Sequence, residues 1–81
     1  MYKHTERLLQ GKKYPRSVYI HTLKIHEVQY KFAIIFNPFD LFQFKVVYNG
    51  KIIGTFEYYK DAKSLIIYEV ETIKKVVSNN V

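Results

Sequence analysis

The chain has 81 residues, of which 48% are hydrophobic and 17% aromatic, and its formal net charge is +6 at pH 7. This length leaves room for a single domain over residues 1–81 with one small core, and the apolar content excludes a disordered chain. No cysteine is present, so disulfides and thiolate metal sites are excluded as supports for that core.

The first predicted element is a short N-terminal helical turn. The segment from Tyr2 to Gln10 has a mixed pattern with two adjacent leucines, and Gly11 suits the end of one or two turns of helix. The following residues up to Arg16 predict a basic loop, because Pro15 ends any continuing helix.

The stretch from Val18 to Phe36 predicts β-structure, since it is dense in β-branched and aromatic residues and contains no glycine or proline. From Val28 onwards apolar and polar residues alternate, which is typical of a half-buried strand. The earlier half alternates less clearly, and His26 and Glu27 are not typical turn residues. One bent strand and two separate strands therefore both fit this stretch.

Two turns follow. Asn37 to Asp40 is a turn by composition, because proline presets φ and the Asn and Asp side chains can bond their own backbone. Asn49 and Gly50 lie between two strand-like runs and predict a two-residue type I′ hairpin. One apolar face of that hairpin is predicted to hold Phe42, Phe44, Val46, Tyr48, Ile52, Gly54, Phe56 and Tyr58.

The last element, from Lys60 to Val77, fits a helix better than a strand. In a helix, seven apolar residues lie on one stripe, which Glu69 interrupts. They are Ala62, Leu65, Ile66, Val70, Ile73, Val76 and Val77. The alternative strand, Leu65 to Val70, explains fewer positions over a shorter span. The predicted fold is α+β: an antiparallel sheet of three to five strands with the C-terminal helix packed on one face.

The sequence offers little that could support catalysis. The histidines His4, His21 and His26 are scattered, and a spacing of five puts the last two on opposite faces of a strand. No carboxylate pair is placed for acid and base catalysis, and the three glycines do not form a phosphate loop. We predict no enzymatic activity, no cofactor and no metal site.

Charge and location suggest the class of partner. The N-terminus lacks the apolar run of a signal peptide and no stretch approaches a membrane span, so we expect a cytoplasmic protein with no membrane partner. An excess of 13 Lys and Arg over 7 Asp and Glu favours polyanions such as DNA or other nucleic acid, anionic lipid or an acidic protein surface.

The sheet face opposite the helix is predicted to carry a mixture of polar, basic and apolar residues: Gln29, Lys31, Ala33, Ile35, Gln43, Lys45, Val47, Lys51, Ile53, Thr55 and Glu57. Its lysines, flanked by Lys12, Lys13 and Arg16 of the basic loop, fit a phosphate backbone. Its apolar members equally fit a protein partner or a homodimer, and a solvated sheet with incidental lysines is a third interpretation.

The segment from Lys45 to Phe56, followed by Ala62, resembles the hairpin and helix start of AP2-like domains and of the arm-binding domains of phage integrases. The matching positions are Gly54, Thr55, Phe56 and Ala62. The resemblance implies DNA binding in the major groove by the exposed sheet face, through Lys31, Lys45, Lys51 and Thr55.

The sequence therefore predicts a small basic nucleic-acid-binding accessory protein, of the kind that mobile elements encode. The alternative is a protein–protein interaction module, either a small inhibitor or an assembly factor, that docks through its apolar sheet face or forms a homodimer without any nucleic-acid role.

Overall fold

In a computed structural model of the protein, a five-stranded antiparallel sheet carries one long helix. The structure describes residues 4–10 and 17–79, and within the first strand it describes the side chain of Glu6 alone. The elements are β1 (His4–Gln10), β2 (Ser17–Ile25), β3 (Val28–Phe36), β4 (Phe44–Tyr48), β5 (Lys51–Phe56) and α1 (Tyr59–Asn79). The strands lie side by side in chain order. The α+β prediction is confirmed.

The N-terminal segment is a strand, so the predicted helical turn is wrong. β1 pairs with β2 along its whole length, from His4 opposite Ile25 to Gln10 opposite Tyr19. A segment of seven residues has little helical stability of its own in water, whereas the edge of β2 offers it a full row of backbone hydrogen bonds. The predicted basic loop of Lys12, Lys13 and Arg16 lies outside the described residues.

β2 and β3 are two separate strands joined by a two-residue turn. Ile25 pairs with Val28, and the residues between them, His26 and Glu27, have φ angles of 51° and 70°. Positive φ at both positions is the geometry of a type I′ turn, which side chains other than glycine and asparagine adopt at a cost of about 1 kcal/mol each. The structure therefore shows two separate strands rather than one bent strand.

The predicted Asn49–Gly50 hairpin is confirmed, with φ angles of 46° and 87°. Asn49 also ties the turn to β3. Its backbone N–H donates to the carbonyl oxygen of Lys31, and its side-chain Oδ1 accepts from the N–H of Lys31, both at 2.9 Å. Asn49 thus continues the ladder of hydrogen bonds beyond the end of β4.

A bulge in β5 changes the register of this hairpin. Val46 pairs with Gly54, but the next residue of β4, Val47, pairs with Ile52, so Ile53 is an extra residue. Because side chains alternate along a strand, one extra residue moves the following positions to the opposite face.

The prediction that Ile52 and Tyr58 continue the apolar face beneath the helix is wrong, because the extra residue breaks the alternation between Ile52 and Gly54. Ile52 pairs with an outward residue of β4 and is 60% exposed, and Tyr58 lies beyond the end of β5 and is equally exposed. Gly54 and Phe56 do lie on the predicted face, opposite Val46 and Phe44.

The core lies between α1 and one face of the sheet, which we call the inner face. Ala62, Ile66 and Val70, four residues apart along α1, are fully buried against it, which confirms the predicted helical stripe. Val76 is exposed instead, at the end of the helix. The sheet residues of this core are Tyr19, Leu23, Ile25, Phe32, Ile34 and Val46. Ile20, which lies on the opposite face, and His21 are also buried.

Candidate interaction surface

The sheet face that points away from α1, which we call the outer face, carries an apolar row across four strands. Directly paired residues of antiparallel strands project to the same side. The register places Ile20 beside Ala33, Ala33 beside Val47, and Val47 beside Ile52. With strands about 4.8 Å apart, this apolar row is about 15 Å long. Leu9 of β1 occupies the next position in the register, opposite Ile20.

A depression of about 250 Å³ lies in the middle of the apolar row. It is lined by Ser17, Ile20, Lys31, Ala33, Ile35, Val47, Asn49 and Gly50. The depression exists because Ala33 presents only a methyl group between the longer side chains of its neighbours on β2 and β4. Since an apolar cavity of about 150 Å³ accepts benzene, the depression has room for one aromatic ring.

Of the seven residues predicted to bind nucleic acid, the register brings three together on the outer face. Lys45 pairs with both Ile35 and Thr55, and Lys31 lies two residues from the outward Ala33 on β3. The Nζ atom of Lys45 lies 2.9 Å from Oδ2 of Asp40, so its charge is already balanced by a carboxylate.

Lys51 does not join these lysines. The two-residue turn at Asn49 and Gly50 pairs it with Tyr48, whose ring stacks on Phe32 on the inner face at a centroid distance of 4.6 Å. The register therefore assigns Lys51 to the inner side of the sheet. The remaining predicted residues, Lys12, Lys13 and Arg16, lie outside the described part of the chain.

Ile20 and Ile52 are members of the outer face that were not predicted from the sequence. Ile20 lies in the half of the β2–β3 stretch where alternation is weak. The two-residue turn places Ile52 opposite the outward Val47, and the bulge at Ile53 breaks its alternation with Gly54. Gly54 was the available signal, because a glycine inside a strand pattern is typical of a bulge or of a close backbone approach.

The loop between β3 and β4, residues 37–43, presents apolar side chains to solvent. Phe39 is 94% exposed and Leu41 79%. The loop has a defined conformation: the N–H of Phe39 donates to Oδ1 of Asn37 at 3.1 Å, and the N–H of Asn37 donates to the carbonyl oxygen of Gln43 at 2.8 Å. We call this segment the Phe39 loop.

A second group of polar residues lies on the inner side, around the buried His21. Neither ring nitrogen has a hydrogen-bond partner among the described residues, and its Nε2 is 3.6 Å from Oε2 of Glu6, beyond hydrogen-bonding distance. Glu6 forms an ion pair with Lys74 of α1, whose Nζ is also 3.6 Å from Oε1 of Glu71.

The pKa values of this group follow from its surroundings. Burial lowers the pKa of the His21 imidazole, because the charged form loses its water, and the charge of Lys74 lowers it further against the opposing effect of Glu6. The hydrogen bond to Glu6 raises the pKa of Lys74 above its usual value. No cluster of three or more metal-ligating residues occurs in the described ranges.

The chain matches no protein-family model and no curated protein, and no solved structure matches it. Among the residues that the structure describes, no helix has the length and apolar character needed to cross a membrane. The resemblance to AP2-like and integrase arm-binding domains therefore stays a prediction.

Proposed function

We propose that this protein is a protein-interaction module whose outer face binds an acidic partner protein. The observation that supports the proposal is the apolar row with its depression at Ala33, on the face opposite α1. Antiparallel sheets with one solvated face usually alternate apolar inward and polar outward. An apolar row on the outward side is typical of a surface that another molecule covers.

The depression supports a specific mode of binding. Interfaces obtain much of their affinity from a few apolar or aromatic side chains that fill desolvated pockets, surrounded by polar contacts that exclude water. Ile20, Ala33 and Val47 would form the apolar floor for such a side chain, and Lys31, Asn49 and Ser17 would form the polar rim.

Charge supports an acidic partner. The chain carries a formal charge of +6, and Lys31 borders the apolar row at the depression. An acidic surface around an apolar side chain would be steered towards this face and oriented on it. A basic partner would be repelled.

DNA binding by the outer face has weaker support from the same geometry. Binding along a phosphate backbone depends on several cations on one face. Lys51 belongs to the inner side by register, and a phosphate near Lys45 would compete with the carboxylate of Asp40. Nucleic-acid binding by the outer face is therefore the outcome that would overturn the proposal.

The experiment compares the material that three forms of the protein capture from the native source. Ala33→Leu fills the depression with an apolar side chain, and the matched control Gln29→Leu adds the same side chain to the same strand outside the depression. We expect a partner that the wild type and Gln29→Leu retain and Ala33→Leu loses. With that partner purified, Ala33→Leu should weaken binding at least about tenfold and the control less than about twofold.

A second arm tests for nucleic acid. The proposal is wrong if the captured material is nucleic acid that Ala33→Leu retains and that the triple change of Lys31, Lys45 and Lys51 to Glu releases. A steep loss of binding with salt would accompany that result, because neutralised phosphates release counterions. A protein partner held mainly by the apolar row should remain bound at moderate salt.

A further inference from the structure

The Phe39 loop has the features of a ligand for the depression on the outer face. Phe39 is the most exposed of the large apolar side chains in the described residues, at 94%. Its loop is nevertheless held in place, because Asn37 bonds both to Phe39 and, through its Nδ2 group, to Oδ2 of Asp40 at 3.2 Å. A side chain presented on a pre-ordered loop loses little conformational entropy when it binds.

We infer that the protein binds a second copy of itself by inserting Phe39 of one copy into the depression around Ala33 of the other. This inference rests on the proposed function, since it takes the depression to be a docking site. The depression of about 250 Å³ has room for the phenyl ring, and its floor of Ile20, Ala33 and Val47 is apolar.

The charges beside the two surfaces are complementary. Asp40 follows Phe39 directly, and adjacent Cα atoms are about 3.8 Å apart, so insertion of the ring brings this carboxylate to the edge of the depression. Lys31 lies at that edge. The contacts of Asp40 with Lys45 and with Asn37 both use Oδ2, which leaves Oδ1 to accept from Lys31 of the other copy. The loop thus carries the apolar and acidic features proposed for the partner.

The Phe39 loop and the depression are different parts of the molecule, so their relative positions determine whether the copies form a closed pair or an open chain. The Phe39 loop follows the end of β3, whereas the depression lies midway along that strand. Two copies that insert their loops reciprocally form a closed pair, and copies that insert in one direction form an open chain. In both arrangements self-association occupies the depression and competes with the acidic partner.

The test uses sedimentation velocity on the whole chain at protein concentrations from about 1 µM to about 1 mM, a range that spans weak self-association. We expect the wild type to associate as the concentration rises, and Phe39→Ala and Ala33→Leu each to stay monomeric. Tyr68→Ala, which removes an exposed aromatic side chain from α1 instead, should associate like the wild type.

An equimolar mixture of the two variants gives the sharpest test. Phe39→Ala keeps an intact depression and Ala33→Leu keeps an intact loop, so the mixture should form a one-to-one complex although neither variant associates alone. Restoration in the mixture also shows that both variants are folded. A wild type that remains monomeric throughout, a Phe39→Ala variant that associates normally, or a mixture that stays monomeric would overturn the inference.

These outcomes separate the inference from the function on which it rests. If the wild type is monomeric but Ala33→Leu still loses the acidic partner, the proposed function holds and self-binding is wrong. If the mixture associates but no acidic partner depends on Ala33, the depression serves self-association alone. If the wild type is monomeric, Phe39→Ala should bind the acidic partner with the affinity of the wild type. If the wild type self-associates, Phe39→Ala should bind the partner more tightly, because no loop competes for the depression.

Discussion

The β2–β3 hairpin and the β4–β5 hairpin reverse the chain through the same backbone conformation with very different residues. Asn49 and Gly50 adopt positive φ readily, whereas His26 and Glu27 adopt it at a cost. The β2–β3 hairpin has two strands of nine residues, and the β4–β5 hairpin has strands of five and six residues with a bulge between them. A long hairpin that supplies much of the core can tolerate an unfavourable turn, and a short one benefits most from a favourable turn.

The largest loss of stability should come from truncating the side chain that packs between the two hairpins. Phe32 of β3 is buried and stacks on Tyr48 of β4. We expect Phe32→Ala to lower the free energy of unfolding by about 3–5 kcal/mol, because it removes buried apolar surface and leaves a cavity. Urea unfolding measures the change. Gln29→Ala, an exposed substitution on the same strand, should change it by less than about 0.5 kcal/mol.

Gly54 tests whether the β4–β5 hairpin depends on close contact with α1. A Cβ atom at this position would lie 2.9 Å from the Phe56 ring and 3.0 Å from the Leu65 side chain of α1. Gly54→Ala should therefore destabilise the protein by about 1–3 kcal/mol through overpacking. Thr55→Val at the exposed neighbouring position is the control, and an unfolding curve for Gly54→Ala that coincides with the wild type would refute the close approach.

An effect confined to acid pH should come from His21 in the β2–β3 hairpin. Burial keeps the pKa of this imidazole below its ordinary value of 6.5, so below that pH the unfolded chain binds a proton that the folded chain does not. Stability should therefore be complete above pH 6.5 and fall as the pH drops. The groups facing His21 are Glu6 of β1 and Lys74 and Glu71 of α1.

The measurement is the difference in urea midpoint between about pH 7.5 and about pH 5.5, a window in which histidine titrates. The wild type should lose more stability on acidification than His21→Leu, which has no proton to bind at this position. Carboxylates that titrate in both chains largely cancel in the comparison. Equal losses in the two chains would mean that His21 is protonated in the fold.

The smallest effect on stability should come from replacing the turn residues of the β2–β3 hairpin with the Asn-Gly turn of the β4–β5 hairpin. The double change His26→Asn and Glu27→Gly should raise the free energy of unfolding by about 1 kcal/mol, because both new residues accept positive φ. It removes an ion pair of 3.3 Å between Lys24 and Glu27, but both partners are largely exposed and the pair is worth little. A destabilised double variant would indicate that the original side chains contribute contacts of their own.

The sequence predicted those parts of the fold in which local preference and tertiary structure agree. Asn49 and Gly50 have an intrinsic preference for the turn they form, and the spacing of Ala62, Ile66 and Val70 matches the period of a helix that packs on one face. Both features can be recognised without knowing what lies nearby.

The errors arose where tertiary structure decides against local preference. β1 is a strand because β2 offers it an edge, and the turn at His26 and Glu27 forms because the strands around it pair. The bulge at Ile53 breaks the alternation between Ile52, on the outer face, and Gly54, which lies close to Leu65 of α1. A period-two pattern contains no information about one extra residue, so it assigned Lys51 to the wrong face.

The order of the strands determines how the molecule is completed during synthesis. Each strand pairs only with its neighbours in the chain, so the sheet can extend one strand at a time as the ribosome releases it. The helix that covers the inner face follows all five strands. Until α1 has emerged, the apolar inner face of the nascent sheet is uncovered, and we expect the chain to be most prone to aggregation in this interval.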